Sequence, residues 1–312
     1  MKKTLIWIVV ICVYLCLPAL ITLAVSGKAE TEFESGEIYG PRVNVQYGSA
    51  VKTVEVNKFV EMVLASVYEE NDKPEMLKAL GIVVRTNIYR IMGDKKEIDS
   101  DELAMNYYAS SEMRDEWGSN YQERAQIIKE SVSATGQRVI KHSGNLIDAR
   151  FTRLTNGKTL SGSKYLGEEY AYLKEVDCPK DMENENFYTH VTFKGKELAK
   201  LINNKYKNAN IREDNAAQDI QIVSKTEDGY IVKLQIGNAV IGGEAFASMV
   251  GVKSAFFTIE TSNEGSVRIV SKGDGTGLGM SLNTANSMAA QDSTYTDIIQ
   301  NFFDNVEVIS LE

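Results

Sequence analysis

Hydrophobic residues in this chain fall into blocks of different period, and each block predicts a different element. From Leu5 to Val25 there are 21 consecutive residues without a charge. As a helix such a run spans about 30 Å, the depth of a bilayer's hydrocarbon core, and it exceeds the apolar segment of an ordinary secretory signal. Pro18 inside it is tolerated in lipid. Residues 1–26 are therefore expected to form a single transmembrane helix. From Gly27 to Ala50 no period is sustained, and Gly27, Gly36, Gly40, Pro41 and Gly48 mark residues 27–50 as a polar linker. Residues 51–312 read as one folded domain, long enough to bury a core.

Within that domain Phe59, Val60, Val63, Leu64 and Val67 recur at three- and four-residue steps, which predicts a helix capped by Asn57. A second helix has Pro74 in its first turn and Asp72 and Glu75 at capping-box spacing. Its apolar face is Leu77, Leu80, Val84, Ile88 and Ile91, and Gly93 stops it. The two are expected to pack as an antiparallel hairpin. A third helix is expected from about Tyr121 to Ala134. The period then falls to two: Arg138 to His142 and Asn145 to Phe151, joined by Ser143-Gly144, read as a β-hairpin. Ile220 to Val223 and Tyr230 to Ile236, around Glu227-Asp228-Gly229, read as another. Two closing helices are expected at about Asn283 to Ala290 and Tyr295 to Phe303. The predicted class is α+β, a mainly antiparallel sheet with helices outside it.

Composition narrows the chemistry. There are 43 acidic against 34 basic residues, a net charge of -9, with two histidines and three cysteines. A phosphate-neutralising basic stripe is hard to build from that surplus, so no nucleic-acid partner is expected. Cys12 and Cys16 lie in the apolar run, and Cys178, His142 and His190 are far apart in sequence. Neither a metal site of ordinary ligand spacing nor a cofactor site is expected. Cys178 is expected to be a buried thiol. Lys2 and Lys3 precede the apolar run while Glu30, Glu32 and Glu34 follow it, which places the N-terminus in the cytoplasm and the domain outside a cell membrane that the chain crosses once. Ala24 and Ser26 are small enough for a cleavage site, so the sequence leaves retention of the anchor open.

Short motifs add little. The alternating glycines from Gly273 to Gly279 do not follow a dinucleotide or phosphate-loop spacing, and are better explained by a backbone that turns tightly or approaches another surface. Ser161-Gly-Ser-Lys164 matches the nucleophile motif of penicillin-binding acyl-transferases, but the companion motifs are missing. Glu69, Glu70 and Asp72 cluster after the first helix, and Asp177 and Asp181 form a second acidic group; spacing alone does not bring any pair to one substrate.

Several stretches, in order, resemble one family. They are Val63-Leu-Ala-Ser-Val67 through Pro74 to Leu80 and Val84-Arg85-Thr86; Thr135-Gly136 with Ala149 to Thr159; Gly243-Glu244 with Gly251 to Ser254; and Gly275 to Leu282 with Ala285, Met288-Ala289, Tyr295 and Ile298-Ile299. Over about 250 residues behind one N-terminal anchor, this arrangement is similar to the stage II sporulation protein D family. The resemblance implies a membrane-anchored protein working at peptidoglycan. Active members cleave its glycan strands during engulfment as lytic transglycosylases, and some relatives modify a cell-wall amidase.

The resemblance also implies site positions, and this chain departs from them. The family's acidic residue, taken to be its acid/base, falls on Val67, its two histidines on Thr152 and Thr276, its glutamine on Leu282, and an arginine on Ala247. The zinc ligands of some members have no counterpart between Asp99 and Trp117. Glycosidic cleavage needs a proton donor and stabilisation of an oxocarbenium-like centre, and valine supplies neither. The expected function is therefore binding of peptidoglycan or an engulfment partner without cleavage. The alternatives are an active lytic transglycosylase with a substitute acid, for which Glu70 is the candidate one turn beyond Val67, and an amidase modifier. From the retained scaffold, Arg85, Lys158, Thr159 and Ser281 are the candidate binding groove.

Overall fold

The structure, a computed structural model, describes residues 40–47, 50–262 and 266–311. The expected membrane segment at residues 1–26 and most of the expected linker lie outside the described residues. Among the described residues no helix is long and apolar enough to cross a membrane. The class is α+β, and strand pairing is mainly antiparallel, but among the described residues the strands form five small sheets where the sequence suggests one.

Strand β1 (Arg42–Tyr47) pairs antiparallel with β2 (Ala50–Glu55) and parallel with β3 (Glu97–Asp99). It falls inside the stretch read as a linker. Val43 and Val45 are fully buried, an alternation too short to register against the surrounding glycines. Helix α1 (Val56–Val67) and helix α2 (Pro74–Met92) form the expected hairpin. Their caps differ from expectation. Glu55 and Lys73 occupy the N-cap positions, neither with a side-chain bond, because the expected caps are used elsewhere. Asn57 Oδ1 accepts from Arg85 Nε at 2.8 Å, and Asp72 Oδ2 accepts from the Glu69 backbone N–H at 2.8 Å.

Two short helices, α3 (Ser100–Leu103) and α4 (Ser110–Trp117), lead to α5 (Tyr121–Ala134), which has the expected bounds. Strands β4 (Arg138–His142) and β5 (Asn145–Leu146) make the expected hairpin, its two turn residues having φ of 50° and 81°. The second arm stops at Leu146. Farther on, β6 (Phe151–Thr152) pairs in parallel with β13 (Met280–Ser281), a contact across half the sequence that no local period announces. Helix α6 (Gly162–Tyr165) is a single turn.

Residues 188–272 form a lobe with its own core: β7 (Tyr188–Lys194), α7 (Gly195–Lys205), β8 (Ile220–Lys225), β9 (Ile231–Ile236), β10 (Ala239–Gly242), α8 (Gly243–Val250), β11 (Phe257–Thr261) and β12 (Ser266–Lys272). Leu198, Ile202, Leu234, Ile236, Phe246 and Ile269 are among its buried residues. The chain then returns through the glycine loop to α9 (Leu282–Ala289) and α10 (Tyr295–Phe302), and ends with β14 (Glu307–Ser310) beside β4.

Helix α2 is the centre of the main body. Helices α1, α5, α9 and α10 and strand β4 all pack on it, so residues beyond its predicted apolar face are buried as well, including Arg85, Thr86 and Asn87. This packing fixes the ends of α1 and α9 relative to the β6–β13 pair.

Candidate functional site

Where α1 ends, a small open cleft is lined by Val67, Glu69 and Asp72, by Arg153 and Leu154 just after β6, by Asn184 and Asn186, and by Leu282, Asn283 and Asn286 of α9. Arg153 ties its walls together. Its Nη2 donates to the carbonyl of Val67 at 3.1 Å, its Nη1 is ion-paired with Glu69, and its Nε lies 3.8 Å from Asp274 Oδ2. A guanidinium suits this place, since the last carbonyls of a helix are unsatisfied and carry the negative end of its dipole.

Beneath the opposite wall lies Asp181, fully buried. Its carboxylate accepts from the backbone N–H and hydroxyl of Thr155 at 2.7 and 2.8 Å, from Ser281 Oγ at 2.8 Å, from Thr284 Oγ1 at 2.9 Å and from Asn283 Nδ2 at 3.1 Å. A carboxylate only accepts, so Asn283 is oriented with its oxygen away from Asp181, and that oxygen accepts from Asn184 Nδ2 at 3.0 Å. Asn286 is held in turn by the Lys73 backbone N–H at 2.7 Å and the Asn71 carbonyl at 3.2 Å. The cleft thus presents fixed carboxamides on one side and carboxyls on the other.

Asp72 is the titratable group most altered by the site. Burial pushes its carboxyl up to about 7, helped by the charge of Glu69 and opposed by the Glu69 backbone N–H and Arg153.

The residues singled out in the sequence are distributed unevenly. Val67 and Leu282 both line the cleft. Thr152 of β6 is buried against the glycine loop, donating to the Asp274 carbonyl at 2.9 Å, and Thr276 Oγ1 accepts from the Leu278 N–H at 3.3 Å within that loop. Both hydroxyls are spent on loop closure. A Cβ on Gly275 would collide with Thr152, and one on Gly279 with the backbone of Arg150, so these glycines serve a close backbone approach. Ala247 is packed in the lobe's core. Glu70 is exposed and pairs with Arg124 at 3.3 Å, outside the cleft lining.

None of the four candidate groove residues lines the cleft. Arg85 is fully buried, bonding Asn57 and, at 3.2, 3.1 and 3.3 Å, Thr135 Oγ1 and the carbonyls of Arg138 and Val132. Thr159 and Ser281 are fully buried too, Thr159 bonding the Lys174 carbonyl at 2.7 Å. Lys158 pairs with Asp228 at 2.8 Å and Glu175 at 3.0 Å, which holds its ammonium well above the usual lysine range. Cys178 is buried, as expected, and burial pushes its thiol up to about 11. Lys164 is ion-paired with Glu227, while Ser161 Oγ lies 3.1 Å from Ser163 Oγ. Among the described residues no group of three or more His, Cys, Asp or Glu is placed to hold a metal ion. The cleft asparagines carried no sequence signal of their own, Arg153 stood only within the stretch that resembles the family, Asp72 was read as a helix cap and a member of an acidic group, and Asp181 only as a member of such a group.

Residues 46–142 match the family model described as SpoIID, stage II sporulation protein. The chain is 28% identical over 269 residues to stage II sporulation protein D of Bacillus amyloliquefaciens, covering 83% of this chain and 75% of that one. These matches support membership of the stage II sporulation protein D family. The protein of the same description from Bacillus subtilis (strain 168) is 24% identical over 267 residues, covering 83% of this chain and 76% of that one. The matched family segment runs from β1 through β4 and includes Val67, Glu69 and Asp72, whereas Arg153, Asn184 and Leu282 reach the cleft from outside it.

Proposed function

We propose that this sporulation protein is tethered outside the cell membrane by its apolar N-terminal run and holds peptidoglycan in the cleft between α1 and α9, having given up the family's own cleavage residues. The observation that supports this most is the pair Val67 and Leu282. By the family resemblance they stand where an acidic residue and a glutamine are expected, and both line the cleft as apolar side chains. Neither can donate a proton. The rest of the lining suits retention: carboxamides of fixed orientation, one guanidinium and two carboxyls can hydrogen-bond the hydroxyl, amide and carboxyl groups of a glycan strand and its peptide stems.

Binding is read by co-sedimentation of the full-length protein with purified sacculi. Arg153→Ala is expected to weaken retention about tenfold, the loss of one charge-assisted contact. A wild-type protein left in the supernatant overturns the proposal and turns attention to a protein partner of the engulfment machinery.

A further inference from the structure

The lobe at residues 188–272 differs in charge from the rest of the chain. It holds 11 basic and 9 acidic residues, whereas the whole chain carries a net charge of -9. Much of its acid is already engaged: Asp228 and Glu227 pair with Lys158 and Lys164, Asp219 with Arg212, and Glu213 with Lys196. The unengaged cations gather on one sheet face. Strand β12 lies between β7 and β11, and alternate residues of the three strands point to opposite sides. Phe257, Val267 and Ile269 are buried in the lobe's core, with Val191, Phe193 and Ile259 packed against it. The register therefore gathers the other set on the outer side: Tyr188 beside Lys272, His190 beside Val270 and Thr258, and Thr192 beside Arg268 and Glu260, with Lys194 continuing β7.

This outer face is open to solvent. Tyr188 is 61% exposed, and His190, Thr192, Lys194, Thr258, Glu260 and Arg268 are exposed with it. Lys272 Nζ stands 5.7 Å from the ring centroids of both Tyr188 and Phe256. Lys194, Arg268 and Lys272 have no ion-pair partner among the described residues, and Glu260 is the only carboxylate in those cross-strand rows.

We propose that this face docks on a membrane surface bearing anionic phospholipid headgroups, and so fixes how the domain lies on the bilayer. This rests on the reading that the N-terminal run anchors the chain in that bilayer. Charge complementarity argues for the occupant, since Lys and Arg near an anionic leaflet are attracted to it while the remainder of the chain, strongly acidic, is repelled. The aromatic residues agree with a lipid rather than a small ligand. A tyrosine with an apolar body and a polar tip suits the headgroup boundary, and lysine stems lie along apolar surface while their ammonium groups reach phosphate. An open sheet face lacks the concavity that retains a small molecule. Three cations give only weak attraction on their own, about 100-fold in partitioning, but a tether makes the contact intramolecular, where weak contacts suffice.

The test reconstitutes full-length protein into nanodiscs of phosphatidylcholine alone or with about 30% phosphatidylglycerol, and reads lysine acetylation residue by residue by mass spectrometry. Lys194 and Lys272 are expected to react about fivefold more slowly in the anionic discs at low salt, while the exposed Lys233 of β9 keeps its rate. The difference should vanish at about 1 M salt, where screening acts within about 3 Å. Arg268→Glu is expected to abolish the protection and Arg268→Lys to keep it, with an unchanged melting temperature showing that both variants are folded. Entry into the discs with equal rates in both lipids, or protection that survives salt and Arg268→Glu, overturns this inference and leaves the anchor standing. Protection in phosphatidylcholine discs by added poly(glycerol phosphate), with none from phosphatidylglycerol, overturns the lipid and assigns the face to a wall polymer. Failure to enter either disc overturns the anchor and this inference together.

Discussion

Asp181 shows how much a single buried carboxylate can organise. It has no cationic partner among the described residues, yet donors from Thr155, Ser281, Asn283 and Thr284 surround both of its oxygens. Asp181→Asn turns an NH2 group toward the Thr155 N–H or the Asn283 amide, neither of which can accept. Urea denaturation should show a loss of about 2–4 kcal/mol. Asp72→Asn should do the reverse. In the unfolded chain Asp72 titrates near its ordinary 3.8, in the fold near 7, so the native state binds the proton more tightly. Stability is full below the lower value, declines as pH rises between the two, and is flat above the upper one. Thermal unfolding should therefore find Asp72→Asn more stable than wild type at alkaline pH, with the difference shrinking toward about pH 4. An unchanged difference across that range rules out a raised Asp72. The sequence showed Asp72 and Asp181 as acids in groups but could not separate them, because what sets each apart is a neighbour: Glu69 and Arg153 for one, a ring of hydroxyls and amides for the other. The same reason misdirected Asn57, whose capping role yields to the distant Arg85.

Helices α1 and α2 were legible because each carries a period of its own, and the bounds of α5 coincide with expectation. The two-residue strands β6 and β13 were not, since only their mutual contact defines them. Helix α2 was legible as a helix but not as the buried centre. Its predicted stripe accounts for one face, whereas Gly81 lies on another, against α1 and α5. A Cβ there would meet Val132 and Val60 at 3.8 Å, ordinary contact distances. With room available and a helical backbone, Gly81→Ala should stabilise the protein by about 0.5–1 kcal/mol through reduced backbone freedom in the unfolded chain. A decrease in melting temperature means that α1 and α5 sit closer than these distances allow.

The lobe at residues 188–272 is joined to the main body by few but specific ties. Lys158 and Lys164 hold the Asp228 and Glu227 carboxylates of the β8–β9 turn, the Gly275 N–H donates to the Lys253 carbonyl at 2.9 Å, and Tyr230 packs over Gly277. Lys158 thus fastens the lobe, which explains its absence from the cleft. Because the lobe's buried residues form a cluster of their own, the two bodies should open separately. Leu234 is fully buried at the centre of β9, and Leu234→Ala should cost about 2–5 kcal/mol locally. Hydrogen exchange on this variant should show lost protection in β8, β9 and β10 while the amides of α2 keep theirs. Equal loss in α2 would mean that the glycine loop couples the two cores into one cooperative unit, and that changes in the lobe reach the cleft through the β6–β13 pair.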